Sequence, residues 1–406
     1  MATLKSLLYV SRGNLPSKMA HTIQVAKMAQ ALSQKLDNFE LVTGGDVLSS
    51  LKGMDAEFQS WYGLHQSFKL VRLPVHLRAN YPFSPNYQHQ RYFKLAIAYT
   101  LLKSPSLVYT RTVDIVAPLL KIGIPVLWER HELIDEPLKG ESFYRNFFTN
   151  KNLIGLVTIS PQIAENYLKN GLSPEKILVA HSAVDITSFL PYQTKDLARQ
   201  NLSLPQDAKI VLYSGHLYEY KGIPTLLKTA HLMPEYKFVL VGGWDNDINR
   251  VREDCKKLNL DNVHIVGHVA QSELASYLYA ADVLVIPTSK SWKLSETTSP
   301  LKLFEYMVAK RPIVASALPN IMTVLRDREN AILAEPDEPL AFKNAIDNLF
   351  ENPTLANTIA ECAFQEVQEF TWDKRAERVL QFAAERLQEI DKSVNNPIKN
   401  LIKFIR

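Results

Sequence analysis

Cysteine is nearly missing from this chain: Cys255 and Cys362 are the only two in 406 residues, and they stand far apart. Neither has a C-x-x-C or H-x-x-x-H neighbour, which excludes a disulfide framework and a zinc site and fits a reducing cytoplasm. Charge of one sign is scarce too, since 46 Lys and Arg against 42 Asp and Glu leave a net charge of +4. That balance, with no basic run interleaved with aromatics, argues against nucleic acid and leaves acidic small molecules open as partners. No apolar run approaches about 18 residues, and the opening MATLKSLLYVS holds too short an apolar stretch for a signal peptide. A cytoplasmic chain that does not span a membrane is expected. The dinucleotide G-x-G-x-x-G, the phosphate loop G-x-x-x-x-G-K-[ST] and the nucleophile elbow G-x-S-x-G are all absent. Rossmann dinucleotide enzymes, P-loop kinases and serine hydrolases are therefore set aside.

What is present is an alternation of short apolar runs with helical segments, repeated twice. At 46% hydrophobic and 22% charged residues the composition is that of a folded protein, and 406 residues exceed one hydrophobic core, so two large domains are expected. The first series is Ser6–Ser11, Phe39–Gly44, Phe68–Leu73, Leu107–Arg111, Pro125–Arg130, Gly155–Ser160 and Lys176–His181, with helices at Ala20–Leu36 and Tyr87–Lys103. A polar, irregular patch follows, Ile186 to Asp207. The second series is Lys209–Gly215, Lys237–Gly243, Val263–His268, Val283–Thr288 and Pro312–Ala317, again with helices between. Runs of this kind read as strands buried on both faces, so the fold class is α/β with two Rossmann-like doubly wound parallel sheets. The expected domains are 1–190, 191–370 and a C-terminal helix with a basic tail, 371–406, the helix being a candidate to cross back to the first domain. Ligands in such sheets bind beyond the carboxyl ends of the strands, here in a cleft between domains.

The residues with chemical potential fall at those strand ends. In SPLKLFEYMVAKRPIVAS, Ser299 is a candidate N-cap and Pro300 suits a first helical turn, which aims free N–H groups at an anion. Glu305 sits one turn inside that helix; paired with Lys302 at i,i+3 it would be an ordinary solvated face. Gly215 and Gly222 flank a loop that carries Lys221 to a helix start, where a cation is mildly disfavoured unless it meets phosphate. In the first half, WERHELIDEP sets His131 among carboxylates at a strand's end, either as a polar donor or as a structural histidine. A metal is not expected, for want of a second histidine at ligand spacing. The loop Ser11–Thr22, which links the first strand to the first helix, holds Gly13, Asn14 and His21.

Four segments carry a resemblance: VTISPQIAENYLKNGLSPEKILVAHSAVDITSF, SGHLYEYKGIPTLL, VHIVGHVAQSELASYLYAADVLVIPT and SPLKLFEYMVAKRPIVAS. In order and spacing the chain resembles the retaining GT-B glycosyltransferases of family 4, the glycosyl transferases group 1. That resemblance implies a metal-independent and cofactor-free hexosyltransferase. It implies a nucleotide-diphosphate sugar held by the second domain and an acceptor, whether sugar, glycan or lipid-linked, held by the first, with Gly13, Asn14 and His21 on the acceptor side. It implies Glu305 on the ribose hydroxyls, Lys221 on the diphosphate, His131 near the sugar and leaving group, and Gly267–Val269, with His268, under the base. Backbone N–H groups from Thr298, Ser299 and Leu301 would meet phosphates and sugar around Pro300. The sequence departs from the family in three places. His216 stands where Arg is usual, with Lys302 the candidate replacement cation; Thr297 stands where a first glutamate is usual, with Glu296 one place off; and HSAVD, His181–Asp185, replaces N-G-V-D. Rival readings are another GT-B enzyme, such as a nucleotide-sugar epimerase or a phosphorylase, and a non-catalytic nucleotide-sugar binder. The tail Asn395–Arg406 suits either peripheral contact with an anionic membrane or docking on the body of the protein.

Overall fold

The structure, a computed structural model, describes residues 4–17, 20–76, 85–134 and 146–394. The chain forms two compact units. One takes residues up to Ile159, then Ile163–His181, and the chain again from Trp372; the other takes Ser160–Gln162 and Ser182–Thr371. The division therefore falls earlier than Leu190.

The first unit is built on strands β1 (Leu7–Asn14), β2 (Phe39–Asp46), β3 (Lys69–His76), β4 (Leu107–Thr110), β5 (Val126–Arg130), β6 (Leu153–Thr158) and β7 (Ile177–Val179), in the order β3-β2-β1-β4-β5-β6-β7. All its pairings are parallel. Along β1, Leu8 and Val10 point into one core while Leu7 and Tyr9 are equally buried on the other face. Burial on both faces is why the sequence shows continuous apolar runs there instead of alternation. β1 runs to Asn14, so Gly13 and Asn14 stand on the end of a strand and not in the expected loop.

The second unit repeats the plan with β8 (Ile210–Ser214), β9 (Lys237–Val241), β10 (Val263–Gly267), β11 (Val283–Ile286), β12 (Ile313–Ser316) and β13 (Ile332–Ala334), in the order β10-β9-β8-β11-β12-β13. Val239, Leu284 and Ile313 join one core, and Phe238, Val283 and Val314 the other. The segment Ile186–Asp207, expected to be irregular, holds a helix at Lys195–Asn201 whose Thr194 side chain accepts the Leu197 N–H. Its Arg199 is fully buried, paired to Asp282 at 2.6 Å and donating to the Ala280 carbonyl. The prolines that suggested a loop, Pro191 and Pro205, lie outside that helix.

The helix Trp372–Val394 belongs to the first unit, where it packs on the helix Ala20–Ser33 and on β6. Gly155 in β6 makes the approach possible: a Cβ there would lie 2.5 Å from Phe382 Cε1 and 3.0 Å from the Lys176 carbonyl oxygen. No described helix is long and apolar enough to cross a membrane. The tail Asn395–Arg406 lies outside the described residues. Gly155→Val should destabilise the first unit by about 1 to 3 kcal/mol through overpacking, read as a lower urea midpoint. An unchanged midpoint would mean that Phe382 is not seated against β6.

Candidate functional site

Three neighbouring strands of the second unit end in glycine, at Gly215, Gly242 and Gly267, all with positive φ (125, 112 and 90). Their main chains close on one another: Gly215 N–H donates to the Val241 carbonyl at 2.8 Å and Gly242 N–H to the Gly267 carbonyl at 2.6 Å. A Cβ on Gly242 would fall 2.5 Å from the Gly215 oxygen. The strands can therefore end this way only without side chains, and they make a backbone floor.

Lys302 lies across that floor. Its Nζ would be 2.7 Å from a Cβ on Gly215, and it rests 3.7 Å from the centre of the Tyr213 ring. Lys221 ends a short 3-10 turn, Glu219–Lys221, and its Nζ sits 3.9 Å from the centre of the Trp292 ring. The next residue, Gly222, has φ 81, and a Cβ on it would overlap the Pro287 carbonyl oxygen, which fixes the turn against the end of β11. Neither ammonium has an ion pair or hydrogen bond among the described residues. Burial pulls Lys221 down to about 8. Burial, and then the charge of Lys221, holds Lys302 well below its ordinary value, with Glu305 opposing. Two desolvated cations on aromatic faces, neither ion-paired among the described residues, make a site for a multiply charged anion.

The helix Leu301–Val308 borders this site. Leu303, Phe304, Tyr306, Met307 and Val308 are buried, while Leu301, Lys302 and Glu305 share the partly open face at i, i+1, i+4. Tyr306 fixes the helix to β8, its hydroxyl accepting the Ser214 N–H at 2.7 Å. The N-cap is Pro300, without a side-chain cap bond, and not Ser299 as the sequence suggested. Ser299 is occupied elsewhere: its Oγ accepts the Ser182 N–H at 2.9 Å and its carbonyl accepts from Ser182 Oγ at 2.7 Å. Ser182, from the atypical HSAVD segment, thus shapes the loop in front of the helix. Asn320 Nδ2 donates to the Thr298 carbonyl at 2.6 Å, which fixes the residue before. The first-turn N–H groups of Leu301 and Lys302 remain available to a ligand. Thr297 is buried and Glu296 exposed, so neither puts a carboxylate in the place of the family's first glutamate.

His216 is sandwiched between Tyr218, 5.0 Å away at 16°, and Trp244, 5.7 Å away at 20°. Burial, followed by the charges of Lys302 and Lys221, lowers its pKa, so it is neutral at pH 7 and does not replace an arginine. Lys302 is the second cation. His268 is exposed and Val269 packs partly against the core.

In the first unit, His131 follows β5 with both ring nitrogens engaged. Nε2 is 2.5 Å from Glu129 Oε1 and Nδ1 is 2.8 Å from an Arg111 terminal nitrogen. Arg111 has only protons to give, so Nδ1 accepts and the proton sits on Nε2. Burial and the Arg111 charge hold this histidine at about 4, against the pull of Glu129. It is neutral, and it offers no spare N–H where the sequence suggested a polar donor. Burial raises the Glu129 carboxyl, but Arg375, 3.2 Å away, and the His131 bond outweigh that and keep it ionised. Arg375 also donates to the His181 carbonyl at 3.0 Å. His21 is exposed at the start of the helix Ala20–Ser33.

Sequence reasoning found Lys221, Lys302, Glu305 and His131 but passed over Tyr213, Trp292, Tyr306, Gly242, Asn320, Arg111 and Arg375. The V-G-G end of β9, matching the glycine ends of β8 and β10, was the signal for Gly242; for the others the contacts join distant segments.

The sucrose-phosphate synthase structure from Thermosynechococcus elongatus matches with a TM-score of 0.74 at 22% identity, over 95% of this chain and 100% of that one. The structure of Anabaena HepE in complex with UDP matches with a TM-score of 0.73 at 14% identity, over 94% and 100%. The fold is GT-B. Residues 194–366 match the family described as glycosyl transferases group 1. Among curated relatives, the D-inositol 3-phosphate glycosyltransferase 1 of Catenulispora acidiphila is 26% identical over 223 residues, 52% of each chain. The chain thus spans about half the length of the curated relatives it matches.

An anion that settles on Lys221 and Lys302 favours their protonated forms. Inorganic pyrophosphate should bind with proton uptake near pH 8 and lose affinity as the pH rises beyond it, because an anion raises a lysine pKa that lies at about 8 in the free protein. Calorimetry in two buffers of different protonation enthalpy reads this. Binding at pH 8 without proton uptake would remove Lys221 and Lys302 from the site.

Proposed function

We propose that the chain is a retaining hexosyltransferase, moving a sugar from a nucleoside-diphosphate sugar to an acceptor hydroxyl without a metal. The observation that carries this reading is the pair of ammonium groups, Lys221 and Lys302, held without an ion pair among the described residues beside a glycine floor and Glu305. A metal's usual task, neutralising the leaving diphosphate, falls to these two cations. The floor lets the donor's backbone approach closely, and the open N–H groups at the start of the helix Leu301–Val308 take remaining phosphate oxygens. Glu305, one turn along the same face, accepts from the two ribose hydroxyls.

In the reaction the bond from the anomeric carbon to the diphosphate oxygen breaks as the acceptor oxygen attacks from the same face. The diphosphate oxygen that leaves takes the acceptor's proton, so no side-chain nucleophile is required and configuration is retained. Lys221 and Lys302 meet the charge that grows on that oxygen, an interaction stronger in the transition state than in the ground state. The HepE structure binds UDP, which makes UDP the first nucleotide to try. We place the protein in the cytoplasm, since both cysteines are free thiols.

Lys221→Ala should lower kcat by about 10²–10³, and Glu305→Ala should weaken UDP binding by about tenfold or more, the loss of charge-assisted hydrogen bonds. Circular dichroism should stay unchanged in both. The anomeric proton coupling of the product, read by NMR with EDTA present, should match that of the donor. Near wild-type turnover in both variants, an inverted anomer, or loss of activity in EDTA would each contradict the reading.

A further inference from the structure

Arg111 stands one residue past the end of β4 in the first unit, and among the described residues it forms no ion pair. Its hydrogen bonds go to neutral acceptors, Gln24 Oε1 at 3.1 Å and His131 Nδ1 at 2.8 Å. Among the described residues no carboxylate pairs with it. The neighbouring arginines are satisfied: Arg375 pairs with Glu129 at 3.2 Å and Arg130 with Glu132 at 3.1 Å. The charge left over in this cluster is therefore that of Arg111.

Burial is costly for a guanidinium in that position, and a neutral histidine does nothing to offset the charge. What His131 does is orient it. Glu129, held by Arg375, fixes the proton on Nε2, which obliges Nδ1 to accept from Arg111 and sets the plane of the guanidinium. A guanidinium has more donors than the two in use, in a planar fork that matches carboxylate and phosphate. The Arg111 charge also reaches His21, whose pKa is lowered by burial and then by Arg111. Protonated His21 would crowd the cation, while an anion at Arg111 relieves it.

We propose that Arg111 is the anion-binding residue of the acceptor side, so that the acceptor carries a phosphate or carboxylate group; this rests on the glycosyltransferase reading above. Arg375, Glu129 and His131 are its positioning residues. The donor diphosphate has its own cations in the second unit, Lys221 and Lys302, so Arg111 is spare for the other substrate.

The test uses the full chain with UDP bound and three probes: glucose 6-phosphate, glucuronate and glucose, measured by calorimetry. The wild type should bind one of the two anionic probes at least tenfold tighter than glucose, and whichever wins identifies phosphate or carboxylate. Arg111→Gln should abolish the preference while leaving UDP affinity within twofold, and Arg111→Lys should keep part of it. Retained UDP affinity, together with an unchanged melting temperature, shows that the variants are folded. No anionic preference in the wild type, or an undiminished one in Arg111→Gln, overturns the proposal. A tenfold loss of UDP affinity in Arg111→Gln also overturns it, because the anion is then the donor's. Failure of the wild type to bind UDP would instead break the functional reading.

Discussion

Positive charge held away from carboxylates is the constraint on which the rest of this structure depends. Lys221 and Lys302 in the second unit each rest on an aromatic ring instead of an acid. Desolvation lowers the pKa of both in the free protein, and a bound anion favours their charged forms. The surrounding architecture follows from keeping that arrangement open. Glycine at the ends of β8, β9 and β10 clears the floor, Gly222 admits the turn that carries Lys221 past Pro287, and Tyr306 anchors the helix that carries Lys302 and Glu305.

The first unit manages its charge differently. Glu129 is buried between Arg375 and His131, a position that would be strongly unfavourable if either partner were removed. The same carboxylate sets the tautomer of His131, and through it the direction of Arg111. The final helix matters for this reason: Trp372–Val394 returns to the first unit and delivers Arg375 to the ends of β5 and β7. The helix that was a candidate to cross back to the first domain thus takes part in the polar core of the unit it packs on.

Much of the fold was legible. Nearly every strand lies within two or three residues of its expected run, because strands buried on both faces leave continuous apolar segments that only a parallel sheet explains. The helix Lys195–Asn201 was not legible, since seven mostly polar residues between two prolines carry no clear period. β13, three residues long, was equally silent. Of the site, Lys221, Lys302, Glu305 and His131 stood out because they interrupt apolar patterns at strand ends. Tyr213, Trp292 and Asn320 did not, since a tyrosine or tryptophan in a run reads as core and gives no sign of the cation it faces.

The sequence by itself determined the layout: two alternating series, the GT-B order of strands, and which charged residues fall at the carboxyl ends. Tertiary structure alone decided what those residues are. Whether a lysine is charged, which nitrogen of His131 bears the proton, and whether Ser299 caps a helix or binds Ser182 all depend on groups brought in from distant parts of the chain. Spacing places a side chain on an edge, but its protonation is set by the desolvation and partners it meets there, and those exist only once the chain is packed.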